Sequence, residues 1–157
     1  MKVMKFGGTS VGKPERMHGV AQLVTADAEE KIVVLSAVSG TTNALVDISS
    51  LMARGLRDDA KRKIDELEKG YHQFVDALVQ TPEAKVKCGS ILKEHFEFLN
   101  IILKISHSEA LNKDILAQGE LLSTKLFSVY LTEKGIEHAL LPALEFMTLD
   151  VNSEPQI

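Results

Sequence analysis

Residues 5–11 read KFGGTSV and follow directly on a short apolar opening, MKVM. A lysine, two consecutive glycines and two hydroxyls thus stand at the mouth of the first strand-like segment. Glycine lacks a Cβ, so Gly7 and Gly8 suit a sharp turn or a close backbone approach better than a strand interior. With Thr9 and Ser10 next, and a helical pattern from Pro14, the stretch predicts a strand–loop–helix phosphate cradle. Backbone N–H groups would face an anion, and Lys5 would add a point charge. A tight βα turn with a solvated lysine accounts for the same residues.

Two further segments carry chemistry of the same kind. LSAVSGTTN, residues 35–43, places Ser36, Ser39, Gly40 and Thr42 at the carboxyl end of an apolar strand, where open α/β sheets bind ligands. AQGELLS, residues 117–123, sets Glu120 beside Gly119 in an otherwise apolar helical stretch. A carboxylate there must face solvent or be paired, because burying it alone is costly. Each has a plainer reading: Thr42 as a helix N-cap after Gly40, and the serines as partners for local backbone groups. GGTSVGK, residues 7–13, fills seven positions of the G-x-x-x-x-G-K-[ST] pattern, but the eighth is Pro14. Proline offers no hydroxyl to a metal, and no later strand ends in the acidic residue such a site uses, so a P-loop is not expected.

The elements that would position these segments follow from periodicity. Val3, Met4 and Phe6 lie in a short strand; Met17, Val20, Ala21, Leu23 and Val24 recur at helical spacing between Pro14 and about Ala28. The run from Ile32 to Ser36 is nearly all apolar and partly β-branched, the pattern of a strand buried on both faces. Strand, helix and strand at this spacing predict a βαβ unit and a mainly parallel sheet. From about Thr42 the pattern is helical. Ile64, Leu67, Tyr71, Phe74 and Leu78 form one stripe on a helix from about Asp58 to Gln80. Thr81-Pro82-Glu83 marks a restart, and the apolar-rich helix beyond it is expected to pair antiparallel with its predecessor. A third long helix is expected from about Asp114 to Lys134, stopped by Gly135, and IEHALLP (136–142) reads as another buried strand. Both helical stripes read as core.

Bulk composition narrows the function classes. With 157 residues, 45% hydrophobic, the chain can bury a substantial core as one domain. A formal charge of −4 offers no basic excess for nucleic acid or anionic lipid, so a phosphate would have to be met locally. No signal-peptide pattern and no run long enough for a membrane span is present, which predicts a cytoplasmic protein without membrane or nucleic-acid partners. A single cysteine, Cys88, reads as a small hydrophobe on a helix. The five histidines, His18, His72, His95, His107 and His138, lack paired ligand spacing, and no metal-ligating residue is expected.

Taken in this order, KFGGTSV, VVLSAVSGTTN and GELLS resemble the amino-acid kinase family, and within it the aspartate kinases (aspartokinases), along the whole chain. The resemblance implies a three-layer αβα sandwich with a mainly parallel sheet, incomplete in this chain. It also implies ATP-dependent phosphorylation of the L-aspartate β-carboxylate, with ATP and Mg²⁺ as cofactors and a homo-oligomeric parent. Lys5, as the catalytic residue, together with Gly7, Gly8, Thr9 and Ser10 would then hold the transferring phosphoryl group, with Ser36 and Gly40 close by; Thr42 and Glu120 match positions that contact aspartate. Residues 1–157 would be the N-terminal portion of a kinase domain, without its C-terminal part and without the ACT regulatory domains. No arginine follows Arg62, so the guanidinium expected to clamp a dicarboxylate would lie outside this chain, and the portion alone is expected to be inactive. Glutamate, carbamate or UMP kinase-like activity, and a non-catalytic binding domain of the same fold, are the alternatives.

Overall fold

A computed structural model of the chain describes residues 1–105, 108–146, 148–149 and 155–156. Of the residues singled out above, His107 lies outside the described ones. Strands β1 (Lys2–Phe6) and β2 (Lys31–Leu35) pair in parallel, in register from Lys2 opposite Lys31 to Phe6 opposite Leu35. The amide of Ser36 extends the ladder by donating to the Phe6 carbonyl at 3.0 Å. The crossover contains α1 (Gly8–Val11) and α2 (Pro14–Val24). Pro14 occupies the first turn of α2, where its missing N–H costs nothing. Helix α2 stops at Val24 and not near Ala28. There Thr25 turns its hydroxyl onto the Ala21 carbonyl at 2.8 Å, and Asp27 and Glu29 are drawn to Lys2 and Lys31 at the strand entrances.

Four helices follow: α3 (Thr41–Ala53), α4 (Arg57–Leu78), α5 (Pro82–Ile102) and α6 (Glu109–Glu133). Helices α4 and α5 run antiparallel as expected, since Asp76 meets Lys85 near the turn while Tyr71 meets Phe96 further out. Helix α6 returns along α5, with Glu133 at the start of α5 and Lys125 on Glu94 at 3.1 Å. It begins earlier than Asp114 because Ser108 caps it, accepting from the Leu111 amide at 3.2 Å. A short α7 (Ala143–Phe146) and a two-residue antiparallel ladder between β3 (Thr148–Leu149) and β4 (Pro155–Gln156) complete the described elements. The core lies among the helices, where Ile64, Leu92, Phe96, Leu99, Leu122 and Leu126 are fully enclosed. Cys88 is buried there too, and burial pushes its thiol up to about 11, as fits a packing residue. The molecule is thus α/β, with helices over a small parallel sheet: an incomplete αβα layering.

Two expectations are corrected. β2 is not buried on both faces: Ile32 and Val34 are 44% and 43% exposed, alternating with buried Leu35. They share a face with their register partners Val3 and Lys5, both exposed, and no second helical layer covers that face among the described residues. Residues 136–142 form no strand. There His138 takes its hydrogen bonds locally, Nδ1 with the Ile136 carbonyl (2.8 Å) and Nε2 with Ser128 on α6 (2.7 Å), and Leu141 is exposed. The segment is folded back on the end of α6 instead of laid along a sheet edge.

The start of α5 depends on a residue from the far end of the helical layer. One oxygen of Glu133 accepts from the amides of Gln80 (2.6 Å) and Thr81 (2.7 Å), while Thr81 itself caps α5 by accepting from Ala84 at 3.3 Å. Burial pushes the Glu133 carboxyl up, but these bonds and Lys134 outweigh it and hold it below the usual glutamate value. A depressed folded-state value means stability present above the ordinary carboxylate range and lost as pH falls through the folded one. Glu133→Gln is therefore expected to cost about 1–3 kcal/mol at neutral pH, from weakened charge-assisted bonds. It should also flatten the acid limb of the stability–pH curve, as measured by urea unfolding between pH 3 and 7.

Candidate active site

The first candidate segment leaves β1 at Phe6. Gly7 is extended and caps a single helical turn, closed by the Ser10 amide on the Gly7 carbonyl at 2.8 Å. The buried side chain of Val11 anchors the turn in the core. Arg16, from α2, donates to the Thr9 carbonyl at 2.8 Å and ties the turn to the helix that follows. So the two glycines open a one-turn helix instead of a plain turn. A Cβ on Gly7 would meet nothing within 4 Å, so its backbone borders open space. The side chains of Lys5, Thr9 and Ser10 are exposed.

The second segment, residues 36–40, links β2 to α3 and lies against the first. A Cβ on Gly8 would come 3.0 Å from the Ala37 carbonyl oxygen, and one on Gly12 only 2.6 Å from the Ser39 Cβ. Glycine at these two positions lets the loops touch. Gly40 has φ of +86°, the left-handed region that glycine enters without strain, and turns the chain into α3. Gly40 is itself the N-cap, with no side-chain cap bond, so the capping role considered for Thr42 is not seen; Thr42 is exposed on the first turn. Ser36 is half-buried, its amide fixed to β1.

The third segment arrives from α6. The Ala37 amide donates to Glu120 Oε1 at 3.4 Å across 83 residues of sequence. Glu120 is exposed and at the same time engaged with the loop, which satisfies both options that its position allowed. Gly119 makes the approach possible. A Cβ there would lie 2.8 Å from the Ala37 Cβ and 3.3 Å from Thr41 Cγ2.

The structure therefore brings together Gly8, Ser36, Gly40 and Glu120 around one loop junction, with Lys5 on the adjoining strand. Three participants have no advance signal as site residues. Gly12 and Gly119 are read only as neighbours of other motif residues. Tyr71 is hidden in the α4 core stripe, yet its hydroxyl meets Thr41 Oγ1 at 2.8 Å, both residues being buried. Burial pushes the Tyr71 phenol up to about 12, with the charge of Glu120 adding to the effect, so it stays protonated and able to donate. A cavity of about 270 Å³ opens beside the junction, lined in part by Ser39, Gly40, Thr41, Glu66, Tyr71 and Phe74. Lys5 and Glu120 do not line it. Among the described residues no group of three or more His, Cys, Asp or Glu is placed to hold a metal, and no helix is long and apolar enough to cross a membrane.

Known proteins resemble the chain along most of its length. The family model described as the amino acid kinase family matches residues 1–155. Lysine-sensitive aspartokinase 3 of Escherichia coli is 32% identical over 135 residues, which cover 86% of this chain and 29% of that protein. Aspartokinase 2 of Arabidopsis thaliana, a chloroplastic protein, is 35% identical over 158 residues, covering 94% of this chain and 28% of its own length. A crystal structure of Escherichia coli aspartokinase III in complex with aspartate and ADP superposes with a TM-score of 0.69 at 30% identity, over 87% of this chain and 30% of that one. The chain thus spans under a third of the length of these relatives.

The close approach at Gly119 yields a direct expectation. Gly119→Ala should destabilise the protein by about 1–3 kcal/mol, the usual cost of forcing extra volume into a packed contact, despite alanine's better helix propensity. Gly89→Ala, in α5 with nothing within 4 Å of its Cβ, should be neutral or stabilising. Thermal unfolding of the two variants side by side tests this.

Proposed function

The chain belongs to the amino acid kinase family, and from that premise we propose that it carries the phosphate-facing and acceptor-holding elements of an ATP-dependent aspartate kinase. Residues 1–157 correspond in this reading to the N-terminal portion of the kinase domain, in a cytoplasmic homo-oligomer whose further segments supply the base-binding and carboxylate-clamping groups. The observation that carries it is the contact between Glu120 and the Ala37 amide, which joins the third motif to the loop abutting the first.

The chemistry asked of these residues is modest. A β-carboxylate with an ordinary pKa near ~3.9 is ionised at neutral pH and needs no general base to attack. Positioning and charge neutralisation remain. The open backbone at Gly7 can approach phosphate oxygens while Gly8 packs on the neighbouring loop, Thr9 and Ser10 add exposed hydroxyls, and Lys5 is a cation without an ion-pair partner among the described residues. Held there, phosphoryl oxygens are screened from the approaching carboxylate, and charge that spreads over them during in-line transfer meets fixed positive ends of dipoles. Glu120, exposed and anchored by one oxygen, leaves the other free to receive the acceptor's α-ammonium, with Thr42 exposed on the first turn of α3. Magnesium would enter on the phosphates of ATP, the usual carrier of that ion in phosphoryl transfer.

The test is formation of acyl phosphate by the whole protein, trapped as the hydroxamate, with MgATP and L-aspartate and a parallel L-glutamate series. Aspartate-dependent product is expected. Lys5→Ala should lower kcat about 10²–10³-fold, as for loss of one preorganised stabilising group. Glu120→Ala should act chiefly on the KM for aspartate. Product with glutamate in place of aspartate, or none with either, would overturn the assignment of substrate.

A further inference from the structure

We propose that Tyr71 is a positioning residue for the acceptor side of the site, acting through Thr41; this rests on the phosphotransfer reading above. Thr41 is the first residue of α3 and directly follows the left-handed Gly40. It is 2% exposed, although its neighbours Ser39, Gly40 and Thr42 are all exposed. Its hydroxyl meets the Tyr71 hydroxyl at 2.8 Å, its amide donates to the Val38 carbonyl at 3.0 Å, and its methyl lies against the Cβ-less face of Gly119. Thr41 is thus clamped between α4 and α6.

The two sides of the clamp are not equivalent. The Tyr71 ring is set by aromatic packing, 6.0 Å from Phe96 and 6.3 Å from Phe74 between ring centres, so its hydroxyl is a fixed point anchored in the core. Thr41 opens α3 directly after the exposed, left-handed Gly40, where no side-chain cap holds the helix start. Fixing Thr41 fixes what adjoins it: Thr42 is the next residue along α3, and Glu120 is the residue after Gly119. Each proposed acceptor contact is therefore one residue from the clamp, while Lys5, Gly7 and Gly8 on the phosphate side are not joined to it through Thr41. Tyr71 is 3% exposed and has no need to touch a ligand itself. A bond that served only to satisfy two buried hydroxyls would support folding and leave the two substrates unaffected. A positioning bond affects one substrate more than the other.

The experiment uses Tyr71→Phe and Thr41→Val in the whole protein. Both are near-isosteric, both delete the shared hydrogen bond, and the aromatic packing remains; Thr41→Ser, which keeps the hydroxyl, is the rescue variant. Hydrogen exchange by mass spectrometry over residues 37–43 is read together with the KM for aspartate and for MgATP. Tyr71→Phe and Thr41→Val are expected to accelerate exchange in 37–43 and to raise the KM for aspartate by about five- to tenfold, the equivalent of one buried hydrogen bond, with the KM for MgATP changing less than about twofold. The double variant should be no worse than either single one, since both remove the same interaction, and Thr41→Ser, which keeps the hydroxyl and loses only the methyl contact with α6, should fall closer to the wild type than Thr41→Val does. Unchanged exchange overturns the clamp. Faster exchange with the KM for aspartate unmoved, or with both KM values raised alike, overturns the positioning role. If the wild type phosphorylates no amino acid, the reaction reading has failed separately, and exchange confined to 37–43 still decides whether Tyr71 holds the loop.

Discussion

A helix axis can come within touching distance of a loop only where one of its side chains is missing, and α6 makes that approach at Gly119. A methyl group there would sit 2.8 Å from the Ala37 Cβ, well inside van der Waals contact. Everything at the junction follows from the vacancy. Glu120 reaches the Ala37 amide because its neighbour lets the helix in, and Thr41 can tuck its methyl against α6 while its hydroxyl turns toward α4. Gly8 and Gly12 do the same for the opposite side of residues 37–39. The loop is held by close backbone approach from two directions and by few side-chain bonds, which leaves the side chains of Ser39 and Thr42 exposed.

On the proposed reading, that arrangement would suit an acidic protein that meets a polyanion. With a formal charge of −4 the molecule does not draw phosphate by its overall field. Its means are local: amides at a glycine-rich turn, one strand-borne lysine, and a turn rigidified by Arg16 on the Thr9 carbonyl. Amides carry no net charge and cannot be neutralised by a passing counter-ion, so their contribution is less sensitive to salt than a cluster of surface lysines would be. A single carboxylate set across the same loop can then favour an ammonium-bearing acceptor without cancelling a large positive patch.

The sequence makes β1 and β2, the Pro14 start of α2 and the α4–α5 pair legible, because each is written in local periodicity or in a proline at a first helical turn. It misleads where burial depends on a neighbour. Ile32 and Val34 have the composition of an enclosed strand, and only the layers packed around a sheet decide whether such a run is enclosed. IEHALLP has the composition of a strand as well, but His138 on Ser128 and the Ile136 amide on the Leu131 carbonyl tie it to the end of α6. The loop residues of the site are readable as motifs, since glycines and hydroxyls at a strand end have few other uses. Tyr71 is not readable: in a stripe of apolar residues a tyrosine looks like core, and core is what its ring is. Its hydroxyl pairs with a residue 30 positions earlier, and that pairing exists only once α3 and α4 have packed.

The contact between Ala37 and Glu120 spans 83 residues, against about 30 for the pairing of β1 with β2. Loop-closure entropy rises only logarithmically with length, so the longer closure costs just about 1 kcal/mol more. It must still wait for three intervening helices to find one another, whereas the helical pairs α4–α5 and α5–α6 are built from chain neighbours. The helical layer is then the early, low-contact-order part of the fold, and the junction that reads as the site is among the last regions to close. A region that closes last can also open first: the exposed Ser39, Gly40 and Thr42 and Glu120 can separate while Leu92, Phe96 and Leu126 stay packed. Such an opening would let substrates in and products out on a timescale faster than global unfolding, with no dedicated lid.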